Sequence, residues 1–255
     1  MAGTTKIIVF GPTGKTGLAV LYTALKVDNV EVTIFIRSPH KLPTDLKDKV
    51  TSVVGDIHNE AAVCDAIKGH DVVISSLGRG NNIFFATTVI SEGTRNIVNG
   101  MRKHKVDKLI VVGVSFLLPH AKVKSIFFLK NVVDDHRRMF NYLHTEASDI
   151  SWIGVMPPRI LEKPYSSLDT YQCAVDALPG ARFARTYDIA DLIVSFAKDA
   201  DKFASHRQQL VGISSEIPPP SMYDKWGVVG KMFYYGSVMS VTVLLISYMV
   251  KKIEF

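Results

Sequence analysis

The stretch Lys6–Gly17, KIIVFGPTGKTG, decides the fold class of this chain. Its apolar run Ile7–Phe10 has no polar residue, as expected of a strand buried on both faces. Three glycines follow at a spacing of three, Gly11, Gly14 and Gly17, and LAVLYTALK then predicts a helix. A strand, a glycine turn and a helix leave free backbone N–H groups at a helix N-terminus, which favours an anion. Because a plain tight turn would not require all three glycines, the pattern predicts a dinucleotide pyrophosphate site.

Strand-like and helix-like segments alternate along most of the remaining chain. Further strands are predicted at Val30–Ile36, Val50–Val54, Asp71–Leu77, Lys108–Val114, Ile150–Met156 and Gln208–Ile213. Helices are predicted at residues 59–69, 87–103, 131–146 and 187–198. Residues 161–183 are expected to be mostly loop, with one strand near Phe183. This alternation predicts an α/β fold with a doubly wound parallel sheet in a single domain.

Basic residues follow the second predicted strand, where an NAD site places an acidic residue for the ribose 2′-hydroxyl. Arg37 ends that strand, with His40 and Lys41 close behind it. Cations suit a 2′-phosphate and cannot accept a hydrogen bond from a hydroxyl. We therefore expect NADP(H) as the cofactor; the alternative is a solvated basic loop.

Two other strand ends carry residues suited to the same ligand. Asp56 follows the third strand, where it can accept from the adenine amino group or cap the helix that begins at Asn59. Gly78, Arg79 and Gly80 follow the fourth strand, and such sheets hold their ligand at the carboxyl ends of the strands.

Composition excludes several other classes of function. The chain has 255 residues and a net charge of +6, without the interleaving of basic and aromatic residues that would favour nucleic acid. Its two cysteines, Cys64 and Cys173, offer no disulfide framework, which favours a reducing compartment. Cys64 is expected to be a small core residue on a helix. The eight histidines show no metal-ligand spacing, so no metal site is expected.

The C-terminal part differs from the rest. We expect the cofactor domain at residues 1–214, a proline-containing linker at 215–230, a transmembrane anchor at 231–250 and a short basic tail at 251–255. The nineteen residues of Met232–Val250 carry no charge, and as a helix they would cover roughly 28 Å, close to a bilayer core. The alternative is an amphipathic or buried helix. The sequence begins without an apolar signal segment.

These observations predict a cytoplasmic domain anchored to an intracellular membrane by its C-terminal tail. If the tail does not insert, a soluble cytoplasmic protein is expected. We also expect a monomer.

Several motifs in order resemble the biliverdin-IXβ reductase/flavin reductase family, relatives of the short-chain dehydrogenases. They are GPTGKTG, IRSPHKLP, VVGD, TTVISEGTRNIV, VDKLIVV, FLL, VVDDHRRM and VMPPRI, between Lys6 and about Ile213. The resemblance implies a Rossmann fold, NADPH as hydride donor, and flavins or open-chain tetrapyrroles as acceptors.

The resemblance also implies roles for individual residues. Those expected at the cofactor are Gly11, Thr13, Gly14, Lys15, Thr16, Gly17, Arg37, His40, Lys41, Asp56, Ile57, Leu77, Gly78, Arg79, Val112 and Ile160. Those expected to be catalytic are Ser115, His136 and Arg159. The alternative for His136 is a helix histidine bonded to Asp134 or to a backbone carbonyl.

Two departures from the family bear on the acceptor. Val114 stands where the family has a serine, so that the hydroxyl moves to Ser115, which can replace it only if the backbone turns there. Arg159 stands where the family has a histidine, exchanging a titratable imidazole for a permanent cation. Tyr22 and Lys26 match the Tyr-x-x-x-Lys pair of ordinary short-chain dehydrogenases, but they fall in the first helix.

The leading hypothesis is an NADPH-dependent reductase that transfers hydride to a planar conjugated acceptor such as a flavin. A second hypothesis is a membrane-tethered NADPH-binding sensor or scaffold with little catalysis. A third is an epimerase or sugar-nucleotide enzyme, ranked last because no Tyr-x-x-x-Lys follows the fifth strand within the predicted cofactor domain, residues 1–214.

Overall fold

Strand β1, Thr5–Phe10, lies inside an eight-stranded sheet in the computed structural model, which describes residues 3–78, 87–119, 129–162, 170–180 and 182–215. Its side chains alternate between two hydrophobic cores, with Ile7 and Val9 in one and Ile8 and Phe10 in the other. Burial on both faces explains why the run contains no polar residue.

The strands of the described residues are β1, β2 Val30–Ile36, β3 Thr51–Val54, β4 Val72–Ser75, β5 Lys108–Val112, β6 Ser151–Met156, β7 Arg159–Leu161, β8 Tyr171–Val175, β9 Phe183–Arg185 and β10 Gln209–Ser215. The α-helices there are α1 Lys15–Ala24, α2 Glu60–Ile67, α3 Val89–His104, α4 Lys130–Thr145, α5 Thr186–Lys198 and α6 Ala200–Ser205.

The large sheet has the order β3-β2-β1-β4-β5-β6-β10-β8. All of its pairings are parallel except that between β10 and β8. The predicted doubly wound sheet is therefore confirmed as mostly parallel, and the prediction of a purely parallel sheet is wrong at β8. This strand, YQCAV, lies at an edge and is largely exposed, so it lacks the apolar run that marks the buried strands.

Two further elements, β7 and α6, lie where the sequence predicted no strand or helix. Strand β7 pairs with β9 in a separate two-stranded sheet, and α6 follows α5 directly. Both are short, and β7 follows two prolines, so neither shows a periodicity that a sequence pattern could detect.

Helices cover both faces of the large sheet. One core contains residues of α1 and α5, and the other contains residues of α2, α3 and α4. The sequential crossovers of parallel strands place helices on both faces in this way.

Asp135 joins α4 to the start of α3 and is fully buried. Its carboxylate accepts from the backbone N–H groups of Ile90 (3.0 Å) and Ser91 (3.2 Å), and from the Ser91 hydroxyl (2.5 Å). Arg138 donates to the same carboxylate at 3.1 Å. Asp135 thus satisfies donors that a helix N-terminus otherwise leaves unpaired.

The neighbouring Asp134 instead pairs with Lys130 and Arg137 at the surface, so the two carboxylates have separate structural roles.

The chain divides into Met1–Glu216 and Ile217–Phe255 by internal contacts. The second unit lies outside the described residues, and so do most of the predicted linker 215–230 and all of the predicted anchor 231–250 and tail 251–255. These segments stay predictions. Within the described residues, no helix combines the length and apolar character that a membrane crossing requires.

We expect Asp135→Ala to lower the free energy of unfolding by about 3 kcal/mol, because it leaves buried donors without an acceptor. Asp134→Ala is the matched control. It removes exposed ion pairs and should cost less than about 1 kcal/mol. Urea unfolding of both variants measures the difference, and equal losses would contradict the assigned role of Asp135.

Candidate dinucleotide site

The glycine turn between β1 and α1 has two positions that only glycine can occupy. Gly11 has a φ of +74°, and a Cβ there would lie 2.6 Å from the carbonyl oxygen of Ser76. A Cβ on Gly17 would lie 2.2 Å from the carbonyl oxygen of Gly11. The first glycine therefore makes the turn, and the third lets α1 pack directly on it, which are two functions that such a glycine triplet serves in dinucleotide-binding folds.

The Gly11 carbonyl oxygen holds the turn together. It accepts from the Gly14 backbone N–H at 3.2 Å and from the Ser76 hydroxyl at 3.0 Å. That hydroxyl also lies 3.1 Å from the Phe10 carbonyl oxygen. Sequence analysis missed Ser76. The one available signal was its position directly after a buried strand, beside the turn that the glycines predict.

The N-terminus of α1 has no capping side chain. Its N-cap is Gly14, which is exposed, and its first turn contains no acidic residue. By contrast, α2 is capped by Asn59, and the start of α3 is satisfied by Asp135. The free N–H groups and the positive end of the helix dipole thus face an open position, which fits a pyrophosphate.

The side chains around this N-terminus are those predicted. Lys15 and Thr16 are the first two residues of α1, and Thr13 lies in the turn. Lys15 is exposed and forms an ion pair with Glu162, which follows β7. Sequence reasoning missed Glu162, because an acidic residue far along the chain gives no sign that it contacts the turn.

The three basic residues predicted at the 2′-phosphate lie at the carboxyl end of β2. Arg37 directly follows the strand, and its guanidinium lies 4.0 Å from the Asp56 carboxylate. His40 and Lys41 belong to the short 3₁₀ helix Pro39–Lys41, and both are exposed. The neighbouring strand β1 ends at the glycine turn, so the cations and the turn share one edge of the sheet.

Asp56 does not cap α2. Its side chain accepts from the backbone N–H of His58 at 2.9 Å, while the cap is Asn59, which accepts from Ala62 at 3.1 Å. Of the two alternatives left open for Asp56, the helix cap is therefore wrong. The adenine contact stays a prediction.

Ile57 and Leu77 converge on one glycine of α3. A Cβ on Gly93 would lie 2.6 Å from Ile57 and 2.8 Å from Leu77, so the two side chains pack on the bare helix backbone there. Both are half-buried, and Gly78 beside them is exposed. The structure thus brings together these predicted cofactor residues from the ends of two strands. Arg79 lies outside the described residues.

On the other side of the sheet's centre, β5 ends in a backbone turn. Val114 is extended, and Ser115 begins the 3₁₀ helix Ser115–Leu117. The Ser115 N–H donates to the carbonyl oxygen of Pro157 at 3.0 Å, which ties this turn to the end of β6. The backbone turn required for Ser115 to replace the family's serine is therefore present.

Arg159 begins β7 and is exposed. Its guanidinium carbon lies 5.8 Å from the centre of the Phe183 ring, which belongs to β9 and is 36% exposed. Val112 and Ile160 are half-buried and pack against the core that contains α1 and α5. Phe183 was predicted only as part of a strand, and its pairing with Arg159 depends on the short β7–β9 sheet.

Comparison with known proteins identifies the family. Residues 11–200 match the NAD(P)H-binding family. This chain belongs to it. The predicted cofactor is thereby confirmed at the level of NAD(P)H, and the glycine turn with its uncapped helix fits that ligand.

Solved structures share the fold of this NAD(P)H-binding protein at low sequence identity. A Rossmann-fold NAD(P)-binding protein of Shigella flexneri has a TM-score of 0.64 and 19% identity, covering 86% of this chain and 100% of that one. An oxidoreductase of Lactococcus lactis has a TM-score of 0.64 and 18% identity over 82% and 90%. A wide-type short-chain dehydrogenase/reductase of Veillonella parvula, in complex with NADP, has a TM-score of 0.64 and 15% identity over 86% and 97%.

His136 lies on α4 and is 5% exposed. Burial lowers its pKa to about 4, although the nearby Asp135 opposes the shift. Its Nδ1 has no hydrogen-bond partner among the described residues, so the bond to Asp134 or to a backbone carbonyl is not found at that atom. A neutral, buried imidazole is poorly placed to attract an anionic acceptor. The catalytic role of His136 stays a prediction.

Tyr22 lies on α1 and donates from its hydroxyl to Asp45 at 3.2 Å. Burial raises its pKa, and the hydrogen bond to Asp45 adds to the effect. The tyrosine is therefore held away from the phenolate form that a short-chain dehydrogenase uses. The prediction that the Tyr22-x-x-x-Lys26 pair lies in the first helix holds for Tyr22, whereas Lys26 follows the end of α1 at Ala24.

We expect Gly14→Ala to weaken NADPH binding at least about tenfold while leaving the fold intact. A Cβ at Gly14 would meet only the Gly11 carbonyl oxygen, at 3.4 Å, so the fold should tolerate it. The second glycine of such a triplet lets the backbone approach the pyrophosphate, and a methyl group there would obstruct that approach. Calorimetric titration measures the affinity, and thermal unfolding checks the fold. Gly3→Ala is the control, because a Cβ there has no neighbour within 4 Å. Unchanged binding by Gly14→Ala would contradict the pyrophosphate site.

His136 predicts a pH dependence of stability. Its pKa is about 4 in the folded protein and about 6.5 when unfolded, so the unfolded state takes up the proton first as the pH falls. The wild type should therefore lose up to about 3 kcal/mol between pH 6.5 and pH 4 relative to His136→Gln. Urea unfolding across this range measures it, and parallel curves for the two proteins would contradict the burial of a neutral imidazole.

Proposed function

We propose that this chain is an NADPH-dependent oxidoreductase that reduces a planar, conjugated, anionic acceptor such as a flavin. The observation that carries the proposal is the shared sheet edge on which an uncapped helix N-terminus follows β1 and the exposed cations Arg37 and Lys41 follow the adjacent strand β2. The helix N-terminus suits a pyrophosphate, and the cations suit an additional phosphate on the adenosine ribose.

Arg37 is well suited to the 2′-phosphate. Its side chain is 73% exposed, and its nearest carboxylate, Asp56, lies at the outer limit of an ion pair. An exposed pair of this kind contributes little, so that the guanidinium remains available to a phosphate. A phosphate offers three oxygens to the planar fork of an arginine, whereas a ribose hydroxyl offers it one weak acceptor.

The acceptor is inferred from the pair formed by Arg159 and Phe183. An exposed aromatic ring provides a flat apolar surface, and the guanidinium beside it provides a positive charge. Together they suit a flat ring system that carries a carboxylate or phosphate. The ion pair between Lys15 and Glu162 ties the segment after β7 to the start of α1, which supports a place for this surface close to the cofactor edge.

The proposed reaction requires few catalytic side chains. NADPH supplies the hydride, and the acceptor ring takes it up together with one proton from solvent. The protein's contribution is to hold two rings face to face, with Val112 and Ile160 forming part of the apolar wall. Ser115, on its 3₁₀ turn, can donate a hydrogen bond to an acceptor heteroatom at the end of β5.

The resemblance to the biliverdin-IXβ reductase/flavin reductase family supports flavins as acceptors. The two departures from that family, Val114 and Arg159, lie on the acceptor side, while the cofactor motif is intact. We therefore place flavins before tetrapyrroles. The competing function is a sensor or scaffold with little catalysis. Such a protein would bind NADPH but would not oxidise it in the presence of an acceptor.

We expect the full-length chain to oxidise NADPH in the presence of free flavin. Arg159→Ala should raise the KM for flavin mononucleotide at least about tenfold, because it removes a charge-assisted contact to the acceptor. Its effect on the affinity for NADPH should be small. Steady-state absorbance at the NADPH band measures turnover, and calorimetry measures the affinity.

Arg182→Ala is the matched control, since Arg182 is a neighbouring exposed arginine whose backbone oxygen, not its side chain, contacts Arg159. Turnover no higher than that of an Arg37→Asp variant would contradict the reductase. Tight NADPH binding without turnover on flavins, biliverdins or quinones would favour the sensor or scaffold.

A further inference from the structure

Three potential metal-ligating side chains converge between α2 and α3, away from the residues discussed so far. They are Cys64, Asp65 and His104, whose ligand atoms all lie within 4.8 Å of one another. The Cys64 sulfur lies 3.6 Å from Nε2 of His104. Cys64 is buried, His104 is half-buried and Asp65 is exposed, so the group is closed on the protein side and open to solvent on the other.

The close packing of the two helices brings these residues together. A Cβ on Gly100 would lie 2.9 Å from the Cα of Cys64, so α3 passes directly over α2 at this point. His104 is one turn further along α3 on the same face. Two side-chain bonds fix the alignment: Asn96 donates to the Ile57 carbonyl oxygen at 2.8 Å, and Asn99 donates to Glu60 at 2.9 Å.

The distance between sulfur and nitrogen matches that of two ligands on one zinc ion. With bonds of about 2.3 Å to sulfur and about 2.05 Å to nitrogen, a tetrahedral angle places the two ligand atoms about 3.6 Å apart. The observed separation is 3.6 Å. A metal could therefore bind Cys64 and His104 at their observed separation, and a carboxylate oxygen of the exposed Asp65 lies within 4.8 Å of both ligand atoms, as a third ligand requires.

We propose that Cys64, Asp65 and His104 form a site for a thiophilic divalent transition-metal ion, with Zn²⁺ as the best match. Binding replaces the thiol proton by a metal–sulfur bond and releases that proton to solvent. A thiolate and an imidazole select against Mg²⁺ and Ca²⁺, which prefer oxygen ligands. Three protein ligands leave the fourth position to water, on the solvent side.

The topology separates this site from the dinucleotide edge. Helix α3 begins at Val89, after the carboxyl end of β4, and ends at His104, shortly before the amino end of β5 at Lys108. His104 therefore lies toward the opposite edge of the sheet from the glycine turn. A metal there would join the end of α3 to α2 and would stabilise the folded chain without entering the hydride transfer.

Sequence spacing could not reveal this site. Cys64 and His104 are forty positions apart, and only the close approach of α2 and α3 at Gly100 brings them together. The expectation of no metal site rested on the spacing of the cysteines and histidines along the sequence. The inferred site uses one histidine with ligands from another helix.

Titration of the full-length chain with Co²⁺ tests the proposal, because cobalt substitutes for zinc and reports a thiolate ligand by an ultraviolet charge-transfer band. We expect one equivalent of Co²⁺ to bind with this band and Zn²⁺ to displace it. His104→Asn and Asp65→Asn should each weaken binding at least about tenfold. Cys64→Ser should remove the charge-transfer band.

Cys173→Ser is the matched control, since Cys173 is the chain's other cysteine and is exposed. This variant should retain the band in full. NADPH affinity, measured for every variant, shows that each is folded. Absence of the band in the wild type, or its loss in Cys173→Ser but not in Cys64→Ser, would overturn the proposal.

Discussion

The carbonyl oxygen of Gly11 is the contact on which the cofactor site depends. It accepts from the Gly14 N–H and the Ser76 hydroxyl, and the Cα of Gly17 packs against it so closely that a methyl group would collide. One backbone oxygen thus connects β1, the turn, the start of α1 and the end of β4. Because these connections fix the direction of α1, they also determine where its free N–H groups converge.

The positions of the other candidate site residues follow from the parallel sheet. Strands β2, β3, β4, β5 and β6 all end at the same edge as β1, so the residues just after each strand become neighbours. The candidate residues Arg37, Asp56, Leu77 and Ser115 reach this edge in this way, although they are scattered along the sequence. Arg159 and Phe183 instead depend on the small β7–β9 sheet, which lies outside the regular alternation.

The sequence predicted those parts of the fold that local patterns encode. Buried apolar runs located the central strands, and the glycine triplet located the turn. Strand β8 was missed because an exposed edge strand carries no continuous apolar run. Ser76, Glu162 and the convergence of Cys64 with His104 were missed for a different reason: each depends on contact between residues far apart in the chain, which spacing does not record.

The central claim is that the turn holds a pyrophosphate while the cations after β2 recognise a further phosphate. Calorimetric titration of the full-length chain with NADPH and, separately, with NADH tests it most directly. The account predicts that NADPH binds at least about tenfold more tightly, because charge-assisted contacts to the 2′-phosphate are absent in NADH. Equal affinities for the two nucleotides would contradict it.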